Sequence, residues 1–107
     1  MINYKITVVI PTYNRSLFLI EAINSVLNQT YQNFHILVSD NASTDDTEEI
    51  VRSFNDNRII YIKHKTNMGM QRNWEFALKY PKERFAALIK DDNCMLINHL
   101  INGLTVS

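Results

Sequence analysis

Two kinds of segment alternate along the chain. Ile6-Thr7-Val8-Val9-Ile10 is β-branched and almost unbroken in apolar character, which predicts a strand covered on both faces and ended by Pro11. From about Ser16 to Gln29 the apolar residues Ile20, Ile23, Val26 and Leu27 recur at three- and four-residue steps, with Glu21, Asn24 and Asn28 on the other side. That is the period of an amphipathic helix. Phe34-His35-Ile36-Leu37-Val38-Ser39 returns to a short apolar run without helical period, then gives way to Asp40-Asn41-Ala42-Ser43-Thr44. A second strand and its loop are predicted there.

Ser43-Thr44-Asp45-Asp46 has the spacing of a capping box, and Glu48 and Glu49 place negative charge where a helix dipole favours it. A second helix is predicted to start there, turn Ile50, Val51 and Phe54 inward, and end at Asn55-Asp56-Asn57. Ile59-Ile60-Tyr61-Ile62 reads as a third strand, followed by a polar loop from His64 to Gly69. A third helix runs from about Met70 to Tyr80, with Trp74, Ala77 and Leu78 on one face and Pro81 closing it. Phe85-Ala86-Ala87-Leu88-Ile89 is a fourth strand. After Lys90-Asp91-Asp92-Asn93 a last helical pattern carries Leu96, Ile97, Leu100, Ile101 and Leu104.

Such alternation predicts an α/β fold, a mostly parallel sheet with helices on both faces and right-handed crossovers. Sheets of this kind bind ligands at the carboxyl ends of their strands. Three polar clusters are predicted to share that edge: Thr12-Tyr13-Asn14-Arg15, Asp40-Asn41 and Asp91-Asp92-Asn93.

The length, 107 residues, sets the expectation of one domain spanning 1–107. Lys and Arg number 11 against 11 Asp and Glu, so no net field attracts nucleic acid or an anionic membrane. Cys94 has no partner in the chain, which excludes an internal disulfide and a Cys-based zinc site and fits a reducing, cytoplasmic setting. The apolar runs are far shorter than the ~18 residues of a membrane span, and no signal-peptide pattern follows Met1. Two glycines cannot supply a P-loop, a dinucleotide fingerprint or a nucleophile elbow.

Asp91 and Asp92 are adjacent carboxylates where a strand runs out, and a hard divalent ion such as Mn2+ or Mg2+ would relieve their repulsion. A solvated turn capping the next helix is the plainer reading. Asp40 is open to two readings as well, an Asx-type bond within its own turn or an acceptor for the imide N–H of uracil. Tyr13 is either a stacking platform for a base or a half-buried strand end. Arg72 and Arg15 offer guanidinium groups to a diphosphate, or are solvated surface residues. His35, His64 and His99 show no ligand spacing, and Trp74 sits at a core position rather than on a sugar platform.

Together, Val9-Ile10-Pro11-Thr12-Tyr13-Asn14-Arg15, Ser39-Asp40-Asn41-Ala42-Ser43-Thr44-Asp45-Asp46-Thr47, Asn67-Met68-Gly69 and Asp91-Asp92-Asn93 resemble the N-terminal, nucleotide-binding half of family 2 glycosyltransferases. The resemblance covers nearly the whole chain. It implies a Rossmann-like GT-A half-domain with strand order 3-2-1-4, which brings Tyr13 and Asp92 to one crevice. It implies a nucleotide-diphosphate sugar, a UDP-sugar, as donor. Thr12 and Tyr13 would line the nucleoside pocket, Asn14, Arg15 and Asn41 would also bind the nucleotide, Asp40 would read the base, and Arg72 would meet the diphosphate. Asp91 would lie near the ribose and Asp92 on the Mn2+ or Mg2+ ion. The pair departs from the Asp-x-Asp-Asp of many members, because Ile89-Lys90 precedes it.

Members of that family are longer, and the acceptor site and catalytic base lie in the part without a counterpart here. The expectation is therefore a truncated donor-binding unit with no catalytic residue of its own and little transfer activity. In the full enzyme the acceptor would be a glycan or a lipid-linked molecule, and the setting cytoplasmic or membrane-peripheral. The last helical pattern would leave an apolar face open to self-association. The competing class is a non-enzymatic doubly wound interaction module in which the acidic turn is structural.

Overall fold

Apolar character in β1 (Ile6–Thr12) has a simple cause, since every one of its residues is buried. The computed structural model describes residues 5–30, 32–79 and 85–88. Within them β1 is followed by α1 (Ser16–Leu27), β2 (Phe34–Asp40), α2 (Thr47–Ser53), β3 (Ile59–Lys63), α3 (Met70–Lys79) and β4 (Phe85–Leu88). The sheet has four strands in the order β3-β2-β1-β4. All three pairings are parallel. The predicted last helix lies outside the described residues, as do Asp91 and Asp92.

Side-chain alternation along the strands divides the core in two. Ile6, Val8 and Ile10 of β1 and Phe34, Ile36 and Val38 of β2 face α1 and α2, where they meet Leu19, Ala22, Ile23, Val26 and Val51. On the opposite face Val9 and Leu37 pack against Ala77 of α3, with Ile60 and Ile62 of β3 half-buried beside them. Helices therefore cover both faces, which is why the strands read as continuous apolar runs.

Several boundaries differ from the predicted ones. β1 continues through Pro11 to Thr12, with Pro11 opposite Ser39 and Thr12 opposite Asp40. Ile6 donates to Asn33 O and Thr12 O accepts from Asn41, so even-numbered residues of β1 bond toward β2. The missing N–H of Pro11 points to the other side, beyond the last described pair with β4, Val9 and Leu88. The buried stripe of α1 is Leu19, Ala22, Ile23 and Val26, and Ile20 and Leu27 flank it half-exposed.

The capping box is not formed. Ser43 is drawn to Asn14 and Asp40 instead, and α2 begins at Thr47, whose amide donates to Asp45 Oδ1 at 3.1 Å. Glu48 and Glu49 do occupy its first turn. Its end falls where polar residues predicted it, with Asn55 at φ 50, a left-handed conformation that asparagine tolerates.

At the start of β3, Asp56 receives the Arg58 amide at 2.9 Å and its guanidinium at 2.9 Å, while that guanidinium stacks over Phe34. The Arg58 side-chain bond, then its amide, hold the Asp56 carboxyl below its usual range. A depressed folded value gives a contribution that is complete above about pH 4 and lost as pH falls through the folded value. Asp56→Asn is expected to remove that part of the acid limb, flattening the fall of the urea midpoint between about pH 7 and pH 2.

Candidate functional site

Thr12 and Asp40 are register partners at the carboxyl edge of the sheet, and the chain leaves both strands there into loops that are tied together. Asn14 makes the tie. It adopts φ 50, its amide donates to Ser43 Oγ at 2.8 Å, and its Oδ1 accepts the Thr44 amide at 2.7 Å. Asn41 makes a second tie toward α3, with Nδ2 donating to Asn67 Oδ1 and Oδ1 accepting the Met68 amide, each at 2.8 Å. Gly69, at φ 88, turns the chain into α3, where its carbonyl accepts the Asn73 amide. Thr12–Asn14, Asp40–Asn41 and Asn67–Gly69 thus form one connected rim.

Asp40 lies beneath that rim, fully buried. Its Oδ1 accepts the Ser43 amide at 2.9 Å and its Oδ2 accepts the Tyr61 hydroxyl. Burial, and then the bond to Asp40, push the Tyr61 phenol well above its usual range, so it remains a donor. The Ser43 amide ties the 41–44 loop to the Asp40 carboxylate. That loop holds Ala42 at φ 66, a conformation costing a non-glycine residue about 1–2 kcal/mol. Ala42→Gly is expected to raise stability by about 0.5–1 kcal/mol after the added freedom of the unfolded chain is subtracted, read from the urea midpoint.

The remaining predicted residues are placed as follows. Tyr13 projects from the rim, 44% exposed. Arg15 precedes α1 and its guanidinium stacks over Phe18 at 4.2 Å. Arg72 is exposed in the first turn of α3 and pairs with no acid among the described residues. Trp74 is half-buried. Asp91 and Asp92 lie outside the described residues, and among those described no group of three His, Cys, Asp or Glu side chains is placed to hold a metal ion. No helix of the described residues is long and apolar enough to cross a membrane.

A buried polar knot escaped the sequence reading. Asn73 Nδ2 donates to Ser39 O at 3.0 Å, and its Oδ1 accepts from the Ser39 hydroxyl and lies 3.0 Å from His64 Nε2. Because that oxygen is an acceptor, His64 serves it with Nε2–H, and the ring is held edge-on to Phe76. The signal was present. Asn73 stands four residues before Ala77, on the apolar face of α3, where a polar residue must find a partner.

The family described as Glycosyl transferase family 2 matches residues 7–104. Over 100 residues the chain is 35% identical to the E. coli UDP-Glc:alpha-D-GlcNAc-diphosphoundecaprenol beta-1,3-glucosyltransferase WfgD, covering 94% of this chain and 40% of that protein. Among solved structures, S. aureus TarS 1-349 in complex with UDP-GlcNAc superimposes with TM-score 0.78 at 26% identity, covering 94% of this chain and 31% of TarS. The mannosyltransferase PcManGT of Pyrobaculum calidifontis, in complex with GDP-Man and Mn2+, shares the fold with TM-score 0.76 at 22% identity, over 86% of this chain and 28% of PcManGT. The chain therefore spans less than half the length of each of these proteins. With the matched family extending from β1 past β4, and with the fold shared with TarS, the chain belongs to glycosyltransferase family 2.

Proposed function

We propose that residues 1–107 form the donor-binding domain of a glycosyltransferase, which holds a UDP-sugar at the carboxyl edge of the sheet. The observation that carries this reading is the rim itself, where three loops from β1, β2 and β3 converge and Asn14 and Asn41 lock them together. The name of WfgD, which specifies UDP-Glc, and the complex of TarS with UDP-GlcNAc favour uridine as the nucleoside.

In this reading Thr12, Tyr13, Asn14, Arg15 and Asn41 surround the nucleoside, with the exposed Tyr13 ring available for stacking. Asp40 accepts the imide N–H of uracil once the 41–44 loop opens. Arg72, exposed and without an acidic partner among the described residues, presents its guanidinium to the diphosphate. Asp91 approaches the ribose and Asp92 takes the metal, as the donor chemistry of adjacent carboxylates suits Mn2+ or Mg2+. Such an ion, when bound, stabilises the negative charge of the departing diphosphate.

Transfer forms a bond from an acceptor oxygen to the anomeric carbon and breaks the bond from that carbon to the diphosphate, which leaves with the electron pair. The acceptor proton passes to a general base supplied by the remainder of a longer enzyme. A lipid-linked glycan is the acceptor class that WfgD's name suggests, which would place the full enzyme in the cytoplasm at a membrane surface. The apolar pattern Leu96 to Leu104, outside the described residues, is proposed to mediate self-association of the chain alone.

Calorimetric titration of UDP into the chain tests the reading. Binding in Mn2+ that is lost in EDTA and in Asp92→Ala is expected. A folded chain that binds no UDP in Mn2+ would contradict it.

A further inference from the structure

Among the described residues the Asp40 carboxylate has two donors of different kinds. Ser43 contributes a backbone amide from the 41–44 loop, whereas Tyr61 contributes a hydroxyl from β3, inside the sheet. The backbone of Asp40 is fixed from both sides, its carbonyl accepting the His64 amide at 2.8 Å and its successor Asn41 donating to Thr12 O at 2.9 Å. Its carboxylate plane is not fixed by the backbone, because the terminal torsion of an aspartate is broad. One donor on each oxygen defines that plane.

Asp40 is fully buried and its Oδ1 already holds the Ser43 amide, so a base that bonds to Oδ1 takes the place of that amide. Tyr61 is then the donor that remains. Its ring packs against the core formed with α1 and α2, and it also lines a cavity with Val51, Asn55 and Ile59. Core packing holds the ring with its hydroxyl directed at Asp40.

We propose that Tyr61 is a specificity-positioning residue: its hydroxyl, bonded to Asp40 Oδ2, orients the carboxylate so that Oδ1 accepts the uracil imide and refuses cytosine. Cytosine carries a lone pair rather than a proton at the matching ring nitrogen, and a fixed carboxylate repels it. A carboxylate free to turn discriminates less. The inference rests on the proposed reading of Asp40 as the residue that faces the base.

The test is titration of UDP and of CDP, each with Mg2+, into the wild-type chain, Tyr61→Phe and Asp40→Asn. Phenylalanine keeps the ring and its packing and removes only the hydroxyl. The expected result is a UDP affinity about tenfold weaker in Tyr61→Phe with CDP affinity unchanged, so that the UDP-to-CDP ratio falls about tenfold, equivalent to about 1.4 kcal/mol. A general loosening of the fold would weaken both nucleotides alike and leave the ratio where it was, which would overturn the proposal. A ratio lost in Asp40→Asn but kept in Tyr61→Phe overturns the role of Tyr61 alone. A ratio unchanged in both variants overturns the reading of Asp40 and the proposal with it.

Discussion

Asn73→Ala is expected to destabilise the chain by about 2–4 kcal/mol. Asn73 is 2% exposed and serves three groups at once: the Ser39 carbonyl, the Ser39 hydroxyl and His64 Nε2. Alanine leaves all of them without that partner, and a buried polar group stripped of its bond costs about 1–3 kcal/mol. His64 Nε2 keeps a contact to Ser39 Oγ at 2.9 Å, which softens the loss at the ring. A domain of this size has about 5–15 kcal/mol in total, so the thermal midpoint should fall by roughly 10 °C or more. Nucleotide affinity should fall with it, because the same knot anchors the first turn of α3, where Arg72 sits. A loss below about 1 kcal/mol in urea unfolding would show that water replaces the amide and that the knot is not a structural hub.

Leu37→Ala is the second large effect, at about 2–5 kcal/mol. Leu37 is fully buried in β2, which has β1 on one side and β3 on the other. Among the described residues the core it belongs to has Val9, Leu37 and Ala77 as its fully buried members. Of its described neighbours, Ala77 offers only a methyl group and Val9 is fixed in the neighbouring strand, so neither refills the space. Ile36→Val, one residue earlier and facing the other core, should cost about 0.5–1.5 kcal/mol. The contrast is read from urea midpoints at unchanged slope. Equal costs at the two positions would mean that α3 follows the cavity inward.

The strands were legible because a parallel sheet covered on both faces writes β-branched runs that no loop or amphipathic helix imitates. Ile6–Ile10 and Phe34–Ser39 fall inside the observed β1 and β2 for that reason. Helix faces and caps were less legible. A stripe of Ile20, Ile23, Val26 and Leu27 satisfies the helical period as well as Leu19, Ala22, Ile23 and Val26 does, and the sheet beneath decides between them. Ser43 has the local spacing of a cap, yet Asn14, 29 residues earlier, claims its hydroxyl.

The same limit applies to the site. Thr12, Asn14, Asp40 and Asn41 stood out as polar residues at strand ends, a position with a physical meaning in this architecture. Ser39 and Asn73 did not, since they meet across 34 residues of sequence and each looks unremarkable in its own segment. Tyr61 read as one more apolar residue of a strand. Its hydroxyl acquires meaning only when β2 and β3 pair with Val38 opposite Tyr61, two residues before Asp40.

The rim at the carboxyl edge is proposed to bind the donor nucleotide. Amide chemical-shift mapping of the 15N-labelled chain, with UDP added in Mg2+, tests it most directly. The largest shifts are expected at Thr12, Tyr13, Asn14, Asn41, Ala42, Ser43, Thr44, Met68 and Gly69, with α1 beyond its first turn unmoved. Shifts confined to the end of α2 and the start of β3, or a folded chain whose spectrum does not change at millimolar UDP, would contradict it.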